Sequence, residues 1–404
     1  AERDGNTVSP ERGVYLMDLT REVSREEVLA RVRANLASER ELRTRAETMY
    51  GPLSREIETV LERVSISRIF SDEEALFHFG SKYVTQPGNR KAIEYLVGEL
   101  REAGYEPELQ WFDARGVESA NVIARIPGTV SPEVVYAVSA HFDSNRRSPG
   151  ADDNTSATVG LLEMARVLRD HPLPATVEIA LFTGEEAGLL GSREYVRRAV
   201  ASGKTLVGAL NNDMIGFAED HRLDKTIRYS NKGIRDLQHG AALLFTELVI
   251  HDAEYYKSTD AAAYYDAYGD IVGGIGSYPI LASPHYHQTH DVLETINHRL
   301  VTEVAKTTIA SIMLMASSPS RIGGLGVERD GPRLLVSWDP AVEEDVTEYL
   351  VVWGPEGGPP EGSTTVREPR ASLRGVRQDW VISVKAVNSR GMEGWDWARV
   401  PAGG

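Results

Sequence analysis

Residues 134–145, VVYAVSAHFDSN, decide the fold. Val134–Ser139 is a short apolar run with no charged residue, and it ends abruptly in a polar cluster containing His141 and Asp143. Such a run reads as a strand buried on both faces, which is the habit of a parallel sheet. The same grammar recurs downstream. Val177–Phe182 ends in Thr183-Gly184-Glu185-Glu186, and Leu206–Leu210 ends in Asn211-Asn212-Asp213, while Asn121–Ile126 supplies a further strand. Helical patterns over Ala157–Leu168 and Leu189–Val200 separate these runs. A third spans Asn89–Ala103, and Ser71-Asp72-Glu73-Glu74 reads as the cap of another. Alternation of this kind predicts an α/β domain over residues 66–318, a mostly parallel central sheet flanked by helices.

Two zones flank it. Residues 1–65 read as a helical cap or extension: Ser24-Arg25-Glu26-Glu27 has the form of a capping box before VLARVRANL, and a second periodic stretch, Ile57–Val64, follows Pro52. Residues 322–404 change to alternating strand patterns at Arg333–Trp338, Glu348–Trp353 and Trp380–Val387, separated by Gly/Pro-rich turns such as residues 354–360. This pattern predicts a small antiparallel β-sandwich.

Composition narrows the function. A formal net charge of −16 excludes nucleic-acid binding through a basic surface. No apolar run reaches the ~20 residues of a membrane span, and Thr308–Ala316 reads as a buried helix. With no cysteine, disulfides, thiolate metal sites and cysteine nucleophiles are excluded. The start, AERDGNTV, has the character of a mature secreted or periplasmic protein after signal removal.

Five polar segments carry the chemistry: SAHFDSN; Pro149-Gly150-Ala151-Asp152-Asp153-Asn154, which opens a helix; LFTGEEAGLLGS; NNDMIG; and HYHQTHD, residues 285–291. In an open α/β sheet they gather in the crevice at the carboxyl ends of the strands. Carboxylates crowded there repel one another, and divalent cations resolve the conflict. Two His and three acidic ligands suit zinc, with cobalt or manganese as substitutes. Asp152 and Asp153 both qualify, as do His285, His287 and His290.

The motifs H-F-D, G-A-D-D-N, G-E-E-x-G-L-x-G-S, N-x-D-M and Y-H-x-x-x-D, in that order over about 240 residues, resemble those of the M28 metallopeptidases. The resemblance implies the zinc exopeptidase fold, a peptide substrate and two zinc ions per chain. It implies His141 and Asp213 on one metal, Glu186 and His287 on the other, and Asp153 bridging both. Asp143 would orient the His141 imidazole. Glu185 would serve as general base toward a water between the metals, and Tyr286 would donate to the oxyanion. A cis peptide between Asp152 and Asp153 is implied, as is a near-site bystander role for His285 and His290, with Asp291 read as a helix N-cap. N-terminal residues are the expected products. The alternatives are a carboxypeptidase or dipeptidase, which needs a carboxylate clamp such as Arg146 or Arg147, and a non-catalytic relic acting through its sandwich. Glutaminyl cyclases share the fold but resemble a one-zinc version without the first His, so His141 argues against that activity. Where the family often shows Ser-Asp-His, this chain has Thr259-Asp260-Ala261, a departure that touches the specificity loop. Tyr264, Tyr265 and Tyr268 there read as the lining of a pocket or, by default, as packed aromatics. The C-terminal SWDP, TEYLVVW and VKAVNSRG segments resemble a fibronectin type III domain over about 80 residues, and its partner is unknown.

Overall fold

The computed structural model describes residues 24–218 and 221–403. The AERDGNTV start and the first part of the 1–65 zone lie outside the described residues. Four helices lead: α1 (Arg25–Tyr50), α2 (Ser54–Leu61), α3 (Ile66–Phe77) and α4 (Pro87–Glu102). The central domain continues through β1 (Glu108–Asp113), β2 (Glu118–Ile126), β3 (Ser131–His141), α5 (Ala157–Leu168), β4 (Ala175–Phe182), α6 (Leu190–Ala201) and β5 (Thr205–Asn211). It closes with β6 (Asp224–Tyr229), α7 (Lys232–Phe245), β7 (Val249–Ala253), α8 (Ala261–Tyr268), β8 (Val272–Gly276) and α9 (His298–Ser317).

These eight strands form one sheet in the order β1-β2-β4-β3-β5-β8-β6-β7. The middle, β4-β3-β5-β8, is parallel, whereas β1, β2 and the β6–β8 pairing are antiparallel. The sheet is therefore mixed, parallel where crossover helices link its strands. Side chains alternate across it with the period of two expected of a strand. Val134, Tyr136 and Val138 of β3, with Val177, Ile179 and Leu181 of β4, enter the core under α4, α5 and α9. Val135 and Ala137, with Ala180 and Phe182, enter a second core under α6 and α8. Burial on both faces is why β3 and β4 are mostly apolar. The sequence-predicted β2–β5, α5 and α6 all form. The edge strands β1 and β7, the inner strand β6 and the glycine-rich β8 carry no clean apolar run, which is why periodicity passes over them.

The Ser24 capping box forms, with Glu27 N donating to Ser24 Oγ and Ser24 N to the Glu27 carboxylate. The cap expected at Ser71–Glu74 does not. α3 begins earlier, with Ser65 as N-cap, and Asp72 and Glu73 sit buried in mid-helix. Tertiary partners overrule the local signal: Arg166 holds Asp72 at 2.7 Å and His298 meets Glu73 at 3.1 Å.

A close approach fixes the start of α6. A Cβ on Gly191 would lie 2.3 Å from the Thr183 carbonyl oxygen and 2.4 Å from Asn121 Oδ1. Gly191→Ala is expected to cost about 1–3 kcal/mol by overpacking, read as a lower denaturant midpoint.

The C-terminal strands are β9 (Gly326–Asp330), β10 (Arg333–Ser337), β11 (Val346–Pro355), β12 (Gly362–Val366), β13 (Arg370–Arg374), β14 (Trp380–Asn388) and β15 (Ala398–Pro401). They form antiparallel sheets β13-β10-β9 and β12-β11-β14-β15. Leu334, Val336 and Leu373 of one sheet pack with Val351, Ile382 and Val384 of the other. This unit is seated on the central domain. Met392 and Trp395, between β14 and β15, belong to the main core, and Trp395 Nε1 donates to the Tyr136 hydroxyl at 3.0 Å. Glu344 N donates to Ser131 Oγ at the start of β3, the opposite end of that strand from His141.

Candidate metal centre

The strands stop where apolar residues give out, and the polar residues beyond them meet at one end of the sheet. His141 closes β3, Glu185 and Glu186 follow β4, and Asp213 follows β5. Asp153 lies in the irregular turn 151–156 before α5, and His287 in the loop between β8 and α9. His141 Nε2 is 3.4 Å from Asp153 Oδ1 and 3.4 Å from Asp213 Oδ1. His287 Nε2 is 3.3 Å from Asp153 Oδ2 and 3.1 Å from Glu186 Oε2. Two donor groups result, His141–Asp153–Asp213 and Asp153–Glu186–His287, and the donor atoms within each lie within 4.8 Å of one another. Asp153 belongs to both, turning one carboxylate oxygen to each.

A surrounding network aims these side chains. His141 Nδ1 lies 3.5 Å from Asp143 Oδ1 and 3.1 Å from the Asp143 carbonyl oxygen. The Asp143 carboxylate also accepts the backbone N–H groups of Glu185 and Glu186 at 3.2 and 3.3 Å, so one buried residue ties β3 to the Glu185–Glu186 loop. Asp291 is not a helix N-cap. It accepts from the backbone N–H of Asp152 at 2.8 Å and of Asp153 at 3.1 Å, and so anchors the turn that presents Asp153. The α9 cap is Asn297 instead. Asp152 stands in neither donor group; its Oδ1 accepts from Gly216 and Phe217 N–H. The cis peptide lies one residue beyond its expected place, between Asp153 and Asn154. There Asn154 bonds Asn212 and Met214 of the loop carrying Asp213, which links the two loops. His285 and His290 pair with each other at 2.8 Å between their Nδ1 atoms. Tyr286 stacks on His287 with centroids 3.7 Å apart. Arg146 lies over the Tyr83 ring. Tyr264 packs against Phe182 and Tyr195, and Tyr265 against Tyr256.

The electrostatics describe a donor set that wants cations. Asp153 Oδ2, Glu186 Oε1 and Asp213 Oδ1 are buried without a hydrogen-bond partner among the described residues. Burial alone would discharge His141, yet Glu185, Asp143, Asp153 and Asp213 carry its pKa well above the ordinary imidazole value. Burial likewise opposes charge on His287, but Asp153 and Glu186 raise it to about 10. For Glu185, burial outweighs the pull of His141 and, with Asp260, Asp213 and Asp153, lifts the carboxyl well above its usual range. A divalent cation binding there would take over from protons the task of balancing the carboxylates. Two neutral imidazoles and three carboxylates fit zinc.

The profile of peptidase family M28 matches residues 121–312. The probable leucine aminopeptidase 1 of Trichophyton verrucosum is 33% identical over 290 residues, 64% of this chain and 76% of that protein. For three other Trichophyton relatives of this kind the chain spans 58% of their length. In fold, the chain resembles the LapA aminopeptidase of Legionella pneumophila (TM-score 0.59, 17% identity, 66% of this chain and 75% of that one). It also resembles BSAP, a zinc aminopeptidase from Bacillus subtilis (TM-score 0.57, 17% identity, 63% and 96%). The fold and its paired donor groups define a zinc exopeptidase. Within that class, the chain belongs to peptidase family M28.

Proposed function

We propose that this metallo-aminopeptidase releases N-terminal residues from peptides with two zinc ions per chain, one held by His141 and Asp213, the other by Glu186 and His287, and both by Asp153. The observation that carries this reading is the Asp153 carboxylate, which turns Oδ1 toward His141 and Oδ2 toward His287. Bound zinc would supply the positive charge that acidifies a water and polarises the scissile carbonyl. Glu185 belongs to neither donor group, and its raised pKa suits it to take the proton from that water and pass it to the leaving amine. Asp143 holds His141 in one orientation and keeps Glu185 in place through its backbone N–H. Tyr286, fixed by its stack on His287, would donate a hydrogen bond to the developing oxyanion.

The test compares aminoacyl-anilide and C-terminal dipeptide substrates on the full chain, with metal content measured in parallel. Anilide release that a chelator abolishes and zinc restores, at about two zincs per chain, supports the proposal. Cleavage confined to free C-termini would make the chain a carboxypeptidase, and bound metal without turnover a relic. Tyr286→Phe is expected to lower kcat about 10²-fold, as loss of one oxyanion donor does, with metal content unchanged.

Preference for leucine at the N-terminus is carried over from the names of the relatives, and comparison of leucyl with other anilides tests it. Export to the periplasm or medium belongs to the same reading. It is supported by a Bacteroides thetaiotaomicron structural neighbour described as a leucine aminopeptidase precursor, and cell fractionation tests it. The C-terminal sandwich is proposed to be of fibronectin type III kind.

A further inference from the structure

Arg228, on β6, is buried and has no counterpart among the motifs that mark the site. Its Nη1 donates to Asp213 Oδ2 at 3.4 Å and its Nη2 to Ser277 Oγ at 3.3 Å, while Tyr255 covers the guanidinium with its ring centroid 5.4 Å away. Its Nε has no acceptor among the described residues. Space for the group comes from Gly276, where a Cβ would lie 2.1 Å from Nε and Cζ. Asp213 is therefore divided: Oδ2 is engaged by the guanidinium, and Oδ1, without a hydrogen-bond partner among the described residues, faces His141.

We infer that Arg228 is a positioning residue that reserves Oδ2 of Asp213, so that Asp213 offers a single oxygen to the cation it shares with His141. The inference rests on the ligand role proposed for Asp213. A carboxylate free to rotate can chelate through both oxygens and take up a coordination position that water and the substrate carbonyl need. Arg228 prevents that at an electrostatic disadvantage, since a buried positive charge next to a ligand weakens cation binding rather than strengthening it. Its place is thus explained by geometry at the ligand, not by added affinity.

The test uses the full chain stripped of metal and reloaded with Co2+, whose visible absorption weakens as its coordination number rises. Wild type, Arg228→Met, Arg228→Lys and Gly276→Ala are compared for Co2+ uptake, absorptivity, kcat and KM. Arg228→Met is expected to bind as much Co2+ as wild type, no more weakly, with lower absorptivity and kcat down about 10–100-fold at similar KM. Arg228→Lys should recover part of both signals. Gly276→Ala, which displaces the guanidinium, should reproduce the Arg228→Met spectrum, and it decides the matter if Arg228→Met does not fold. Unchanged absorptivity and kcat in the folded variants overturn the inference, as does outright loss of one cation, which would make Arg228 a support for affinity. A wild-type chain that takes up no Co2+ overturns the proposed function as well; a loaded wild type beside indifferent variants overturns this inference alone.

Discussion

Glu185→Gln is expected to retain zinc at the wild-type level while kcat falls about 10³-fold, the middle of the range for losing a general acid–base group. Two adjacent glutamates make the experiment sharp. Glu186 Oε2 lies 3.1 Å from His287 Nε2 and shares a donor group with Asp153, whereas Glu185 is in neither group. The Glu185 backbone is fixed through its N–H to Asp143, so an isosteric amide should sit where the carboxylate sat. Gln removes the proton acceptor and little else. Turnover and bound zinc are measured on the same preparation. Loss of zinc on this substitution would mean that the roles of Glu185 and Glu186 are exchanged, and undiminished kcat would mean that another group takes the proton.

The second large effect concerns stability. Trp395→Ala is expected to cost about 3–5 kcal/mol, the usual range for truncating a large buried aromatic. The indole is buried in the core of the central domain rather than in that of its own sheets, and its N–H satisfies the buried Tyr136 hydroxyl on β3. Around it, Asn388 Nδ2 donates to the Ser317 carbonyl at the end of α9, and Arg321 joins Asp270 to Asp396. The C-terminal sheets therefore complete the main core from the end of β3 remote from His141, and the full chain should unfold in a single transition. Denaturant unfolding followed by anilide turnover and by tryptophan fluorescence checks both points. Two separated transitions, or a Trp395→Ala midpoint equal to wild type, would show that the C-terminal unit contributes nothing to the peptidase core.

Both effects bear on how much could be read in advance. β3, β4 and β5 were legible because a strand covered on both faces is mostly apolar, and the change to His141, Glu185 or Asp213 marks the point where it leaves the core. α5 and α6 were legible from helical period, and the Ser24 cap from residues three apart. Ser71 misled because its signal is equally local. What moved that helix start to Ser65 is Asp72 and Glu73 finding Arg166 and His298 far along the chain. The five residues of the two donor groups stand in ordered motifs and could be nominated from them. Asp291 and Arg228 could not be given their places, because Asp291 meets Asp152 across 139 residues and Arg228 reaches Asp213 only through the pairing of β6 with β8.

By itself, then, the sequence determined the elements whose burial is uniform or periodic, and the inventory of imidazoles and carboxylates at the strand ends. Tertiary structure alone decided which oxygen of Asp153 faces which histidine, which peptide bond is cis, what holds Asp213 from behind, and that Trp395 lies under β3. The physical reason is one of range. Apolar periodicity and capping are properties of neighbours along the chain, whereas the direction of a carboxylate or the seat of an indole is set by partners that only the closed sheet brings within hydrogen-bonding distance.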